Sequence, residues 1–317
     1  MAPPNLFSDL LIKLIPLYIM IIFGWIAGKK LKVQAESIAP LLLYIVVPVV
    51  TFKGIFLTDL SAQTFSYPFY FLVAGTFMAI SFFYIGKIFL GSREQAGLLS
   101  LSASLANVGY FGLPLVFAIY GPEALGITVL LVLGLALHES FTAFLIAARG
   151  KYQLKYALQK TLRLPTIYTS ILAVLLNLAY KYYYQPGTLL DPVIQSLLDM
   201  ADKFIGAYSF LGMLMIGLGL AKIKKAYFDF KFISLSLIAK LAVFPALAVG
   251  FMYLDSTYLH FYSSRALEII FLMSIVPIGA NTISIATELG LDTDTASITV
   301  LISTLVALVY IPWVLSF

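Results

Sequence analysis

The sequence predicts an all-α membrane protein of about ten transmembrane helices, and three observations carry that expectation. Apolar residues make up 61% of the 317 and charged residues only 11%, with a mean hydropathy of +0.99. A soluble domain carries about 25% charge. Apolar runs long enough to cross a bilayer, which takes ~20 residues each, recur from end to end with short connections. The cations gather in alternate connections, as they do on the cytoplasmic side of membrane proteins.

The spans fall at about 8–28, 37–57, 68–90, 95–120, 123–147, 164–184, 200–221, 232–254, 265–288 and 295–316. The first follows Met1-Ala2-Pro3-Pro4-Asn5, which lacks a basic leader and a small-residue cleavage site, so it reads as a retained span. Lys29, Lys30 and Lys32 follow span 1, and Lys87 and Arg93 follow span 3. Arg149, Lys151, Lys155, Lys160 and Arg163 follow span 5, and Lys222, Lys224, Lys225 and Lys231 follow span 7. The opposite connections hold Asp59, Glu123, Asp191, Asp199, Asp202 and Asp255, with few cations beyond Lys53, Lys181, Lys203 and Arg265. Both termini are therefore expected outside, with the basic connections in the cytoplasm. Compact loops and the lack of targeting signals suggest a plasma membrane, bacterial inner membrane by preference. The acidic connection of Glu288, Asp292 and Asp294 is the exception, in a rule to which acids contribute little. The net charge of +5 belongs to these basic loops rather than to a nucleic-acid partner.

Five spans before the central loop and five after it run in opposite senses, because five is odd. That is the signature of an inverted repeat, 1–148 and 164–317, joined by a basic cytoplasmic loop at 149–163. Ile127-Thr128-Val129-Leu130 in the first half parallels Ile298-Thr299-Val300-Leu301 in the second. Leu154, Leu158 and Leu162 share a helical face in the central loop, which is either an interfacial helix or a solvated basic segment. Tyr180, Tyr182, Tyr183 and Tyr184 read as an interfacial aromatic belt. Gly206, Gly212, Gly217 and Gly219 suggest close packing on span 7, within the chain or at a dimer seam.

Two spans interrupt their own helices at matched places in the halves. Span 4 contains Ser104-Leu105-Ala106-Asn107-Val108-Gly109-Tyr110-Phe111-Gly112-Leu113-Pro114, and span 9 contains Ser274-Ile275-Val276-Pro277-Ile278-Gly279-Ala280-Asn281-Thr282-Ile283-Ser284. An unpaired peptide group in hydrocarbon costs several kcal/mol, so unwound backbone at that depth implies protein or a wet cavity around it. Paired Gly/Pro-interrupted spans of this kind point to a transporter's binding site. Asn107 offers a donor and an acceptor to freed backbone or to a solute, and Asn281 is its counterpart. Gly109 permits the bend, and Pro114 and Pro277 remove N–H donors. The half-helix N-termini favour a carboxylate.

Glu139 and Lys240 are intramembrane charges at similar depth, and a buried pair is expected. Its role is open between a structural salt bridge, an ion-coupling device and direct substrate contact. Lys53 either draws anions into an outer vestibule or snorkels to the interface. His138 projects about 100° from Glu139 and reads as a packing histidine. Ser100, Ser102 and Ser104 approach the first break and either line it or back-bond to their helix. The chain has no Cys and two His, and no phosphate loop, zinc motif or acyl-transfer elbow. No metal, cofactor or enzymatic activity is expected.

These residues resemble the auxin efflux carrier family, which includes plant auxin exporters and bacterial malate- or malonate-type carriers. The resemblance spans nearly the whole chain and is carried by Val47-Pro48 with Thr51-Phe52, by Asn107 with Pro114, and by the run from Val276 to Asp292. It implies ten helices in two inverted repeats of five, with broken helices 4 and 9 crossing at mid-membrane. It also implies a scaffold of spans 1, 2, 6 and 7, a moving transport domain of spans 3–5 and 8–10, a homodimer, and elevator-type motion. The Asn matching Asn107 contacts the substrate carboxylate in plant members, and Pro277 looks like the proline of the second crossing helix. Where those members typically have Pro before that Asn, this chain has Ala106, and their long cytoplasmic loop is reduced here to 149–163. The expected function is transport of a small organic anion, auxin-like or dicarboxylate-like. The alternatives are a sodium- or proton-coupled carrier using Glu139 and Lys240 and, more remotely, a solute-sensing receptor.

Overall fold

The computed structural model describes residues 6–148, 155, 159, 162–183, 190–222 and 228–316. Most of the central basic loop, with its expected interfacial helix, lies outside the described residues, as do Tyr184, Lys224 and Lys225. The described chain is helical throughout, and its one β-type feature is an isolated antiparallel bridge between Ala106 and Ile278.

In the first half the helices are α1 (Leu6–Lys30), α2 (Ala35–Leu41), α3 (Val47–Phe56), α4 (Ala62–Phe89), α5 (Arg93–Ser104), α6 (Leu113–Tyr120), α7 (Leu125–Leu137) and α8 (Phe144–Ala148). In the second they are α9 (Pro165–Tyr183), α10 (Leu190–Lys222), α11 (Phe230–Ile238), α12 (Phe244–Leu254), α13 (Ser264–Ser274), α14 (Asn281–Leu289) and α15 (Thr293–Val314). Seven helical stretches among the described residues are long and apolar enough to cross a membrane. The expected spans at 95–120 and 265–288 are instead each divided into two shorter helices, α5 with α6 and α13 with α14, and α9, on the expected span 164–184, is not among the seven.

Several spans are continuous through wide π-helical turns, at Leu42–Val46, His138–Ala143 and Ala239–Val243. Two of these turns run into a proline, Pro48 and Pro245, at the start of the next helix. Proline lacks the N–H its helix needs and its ring displaces the carbonyl four residues back. In lipid that freed carbonyl needs another donor. Pro245 frees the carbonyl of Leu241, and the Tyr310 hydroxyl donates to it at 2.6 Å. Pro312 does the same to Leu308, whose carbonyl accepts from the Tyr18 hydroxyl of α1 at 2.7 Å. The carboxy-terminal end of α3 is closed by Asn177 of α9, whose Nδ2 donates to Phe56 O at 2.7 Å and Thr58 O at 2.9 Å.

The tightest helix pair is α1 against α10. A Cβ on Gly217 would strike the Ile21 carbonyl and sit 2.6 Å from the Trp25 nitrogen. Small residues let backbones approach closely where lipid offers no hydrophobic drive. Gly212 likewise faces the Tyr110 backbone, whereas nothing lies within 4 Å of a Cβ on Gly206. Two of the four span 7 glycines thus serve packing within the chain. Gly217→Ala is expected to lower the melting temperature in detergent through about 1–3 kcal/mol of overpacking. Gly206→Ala should raise it slightly, because Ala is the better helix former by about 1 kcal/mol.

Candidate functional site

Both predicted breaks are present, and they meet. The backbone of Leu105 turns extended after α5, with φ −84° and ψ 121°, and Asn107 stands outside helical geometry at φ −77°, ψ 51°. Opposite it, the chain leaves α13 at Ile275 and resumes a helix at Asn281. Gly279 N donates to Leu105 O at 3.0 Å, and Asn107 N donates to Pro277 O at 2.8 Å. The Ile278 amide donates to Ser303 Oγ of α15 at 3.1 Å. Peptide groups released by one break are therefore taken up by the other, as burial demands. Pro277 has no N–H to satisfy, which suits a position where only its carbonyl is used. Gly279 passes so near the first break that an added Cβ would lie 3.2 Å from Ala106 O.

Beyond Asn107 a π-helical turn at Val108–Gly112 leads into α6, and the Asn107 carbonyl accepts from Gly112 N at 2.8 Å and Phe111 N at 3.2 Å. The first amides of that turn lack acceptors within their own helix, whereas at the start of α14 Thr282 N donates to Gly279 O at 3.0 Å and Ile283 N to Ala280 O at 3.1 Å. The Asn107 side chain is buried at 4% exposure, and its Nδ2 has no hydrogen-bond partner. It borders a cavity of about 330 Å³ and also a smaller one of about 50 Å³, and Ala280 borders both.

Polar Glu139, Ser140, Asn281, Ser284 and Glu288 line the larger cavity together with apolar Leu43, Val47, Val132 and Leu133. Asn281 Nδ2 donates to Glu139 Oε2 at 2.9 Å. Asn281, Ser284 and Glu288 follow one another at three- and four-residue steps and so share one face of α14. Tyr208 of α10 also lines the cavity, with its ring 6.4 Å from that of Tyr110. A Cβ on Gly109 would lie 2.8 Å from the Tyr208 hydroxyl, so glycine leaves room for this approach.

Of the residues singled out from sequence, Asn107, Gly109, Asn281 and Glu139 gather at this cavity. Pro114 and Pro277 shape its walls without lining it. The expected contact between Glu139 and Lys240 is not formed. Lys240 is fully buried, its Nζ lies 4.0 Å over the Phe244 ring, and it has no hydrogen-bond partner. Similar positions along their spans do not bring the two together, and each residue sits in a π-helical turn. Lys53 is also held elsewhere. Its Nζ makes a 2.6 Å ion pair with Asp202 and donates to Leu198 O at 3.1 Å, joining α3 to α10 outside the cavity.

His138 packs against Gly75, and its Nδ1 lies 2.6 Å from Thr142 Oγ1. Ser100 and Ser104 donate to Gly97 O and Ser100 O, back-bonding within α5. Sequence reasoning missed Ser284, Glu288 and Tyr208. The spacing from Asn281 would have given the first two, but nothing in the sequence ties Tyr208 to a break so far away.

A family model described as membrane transport protein matches residues 9–315. No curated protein matches the chain. That family is one of membrane transport rather than of enzymes, and the chain is a multi-pass membrane protein. The chain belongs to the auxin efflux carrier family of membrane transport proteins.

Proposed function

We propose that this transporter carries a small organic monoanion with an apolar body, bound where the two broken helices meet. One observation carries the reading: the buried Asn107 amide has a donor without an acceptor and belongs to the lining of two cavities. A buried polar group left unsatisfied in a native structure calls for an absent partner. A carboxylate suits it, because the half-helix starting after Asn107 and the one starting at Asn281 turn their positive ends to the same place. The apolar lining of the cavity would take the rest of the solute. A second carboxylate would have to lie beside Glu139 and Glu288, which favours a monoanion over a dianion.

Two cavities that share Asn107 and Ala280 are compatible with alternating access by elevator motion. In this reading 1–148 and 164–317 are inverted repeats of five spans, joined by the cytoplasmic loop 149–163. Spans 3–5 and 8–10 cross at helices 4 and 9 and move against a scaffold of spans 1, 2, 6 and 7. The protein would act as a homodimer in a plasma membrane, with both termini outside. An anion leaving a cell with a negative interior gains about 2.3 kcal/mol per charge per 100 mV, so no coupling ion is required.

A second reading has its own support. Glu139 and Glu288 line the cavity, and no Lys, Arg or His is among the described residues that line it. A sodium ion or proton taken up beside Glu139 would offset that charge before an anion enters, making the protein a coupled carrier.

Removing the Asn107 amide takes one hydrogen bond from a charged ligand, worth about 1.5–3 kcal/mol. Asn107→Ala should therefore weaken binding of a labelled apolar monocarboxylate by about ten- to a hundredfold, measured by scintillation proximity on protein whose melting temperature is unchanged. Unaltered affinity removes Asn107 from the site. Flux in proteoliposomes separates the two readings. Uncoupled export predicts rates set by membrane potential and indifferent to sodium and pH. The coupled reading predicts a sodium or pH dependence that Glu139→Gln abolishes.

A further inference from the structure

We infer that the same cavity takes a second class of solute, the apolar α-amino acid, and holds it better than a simple monoanion. The inference rests on the reading that a solute carboxylate binds where the broken helices meet, and it adds a place for an ammonium group. Glu139 and Asn281 are its basis. Both are only partly buried, both line the cavity of about 330 Å³, and Asn281 Nδ2 donates to Glu139 Oε2 at 2.9 Å. An amide donor and a carboxylate thus stand side by side at the surface of one cavity.

An α-amino acid carries the matching pair, since its carboxylate and its ammonium share one carbon. The carboxylate has the Asn281 amide to meet, and also the turn at Val108–Gly112, where Gly109 is partly exposed and lines the cavity. The ammonium has three N–H donors. An ionised carboxylate accepts up to about four hydrogen bonds, so the bond from Asn281 does not exhaust Glu139. Ser284 and Glu288, on the Asn281 face of α14, bring further oxygen atoms to the same lining. Leu43, Val47, Val132 and Leu133 give the amino acid's side chain apolar surroundings.

Charge decides between the two classes of solute. The described lining residues include the carboxylates of Glu139 and Glu288 and no Lys, Arg or His. A monoanion meets those groups with a charge of like sign, which the site disfavours. An amino acid brings its own cation, and its net charge is zero. It supplies within one molecule the positive charge that a coupled carrier would draw from sodium or a proton. A bare amine matches only Glu139, and a bare carboxylate only Asn281.

The test compares labelled leucine and phenylalanine with 4-methylpentanoate and 3-phenylpropanoate, which lack only the ammonium, by scintillation proximity on the full chain. Each amino acid should bind about tenfold or more tightly than its deaminated analogue, as a charge-assisted hydrogen bond implies. Glu139→Gln keeps the shape of the side chain and removes its charge. It should close the gap from both sides, weakening the amino acids and tightening the analogues. Analogues that bind wild-type protein as well as the amino acids do overturn the inference, and that comparison needs no variant. A preference that survives Glu139→Gln overturns it too. In either case, analogue binding that Asn107→Ala weakens leaves the carboxylate site standing without the ammonium site. Binding of none of the four compounds overturns both.

Discussion

Two hydrogen bonds between unwound segments hold the centre of this protein together. Gly279 to Leu105 and Asn107 to Pro277 form a miniature antiparallel pairing inside an otherwise helical bundle. Neither segment is tolerable alone in hydrocarbon, because each exposes peptide groups that water would normally satisfy. Each is made tolerable by the other, so neither break is a local property of its own span. The pairing has a further effect. By using backbone donors and acceptors it leaves the Asn107 amide free, and it fixes that amide where two helices begin.

The same accounting explains the periphery. Proline displaces a carbonyl, and a tyrosine from a neighbouring helix supplies the missing donor, as at Leu241 with Tyr310 and Leu308 with Tyr18. Asn177 closes the end of α3 in the same way. Asp255 accepts from the Phe261 and Tyr262 amides and so secures the left-handed turn at His260. Polar side chains in the apolar body are thus largely occupied with backbone. Seven described residues keep a buried polar atom without a partner, among them Asn107 at the central cavity and Lys240 over the Phe244 ring.

How much of this could be read from sequence depended on the kind of information needed. The breaks were legible because Gly, Pro and Asn cluster where an uninterrupted helix would exclude them. Their mutual pairing was less so, since Ala106 and Ile278 carry no polar mark. Counting residues along each span put Glu139 and Lys240 at one expected level, which says nothing of facing. That facing was not legible: Lys240 lies over Phe244 of its own span, and Glu139 meets Asn281. Lys53 was judged by its place near the end of a span, yet Asp202 is its partner. Nothing in the spacing of those two residues announces the pair.

The bond from Tyr18 to Leu308 lies between the first and last long helices of the chain. If α15 travels with a sliding bundle while α1 stays still, this hydroxyl must let go, since a shift of one turn carries the carbonyl about 5.4 Å away. Leu308 would then need a new donor, and Tyr18 a new acceptor, at every stroke. In such a motion the proline that opens a gap in α15 would make a latch between α1 and α15.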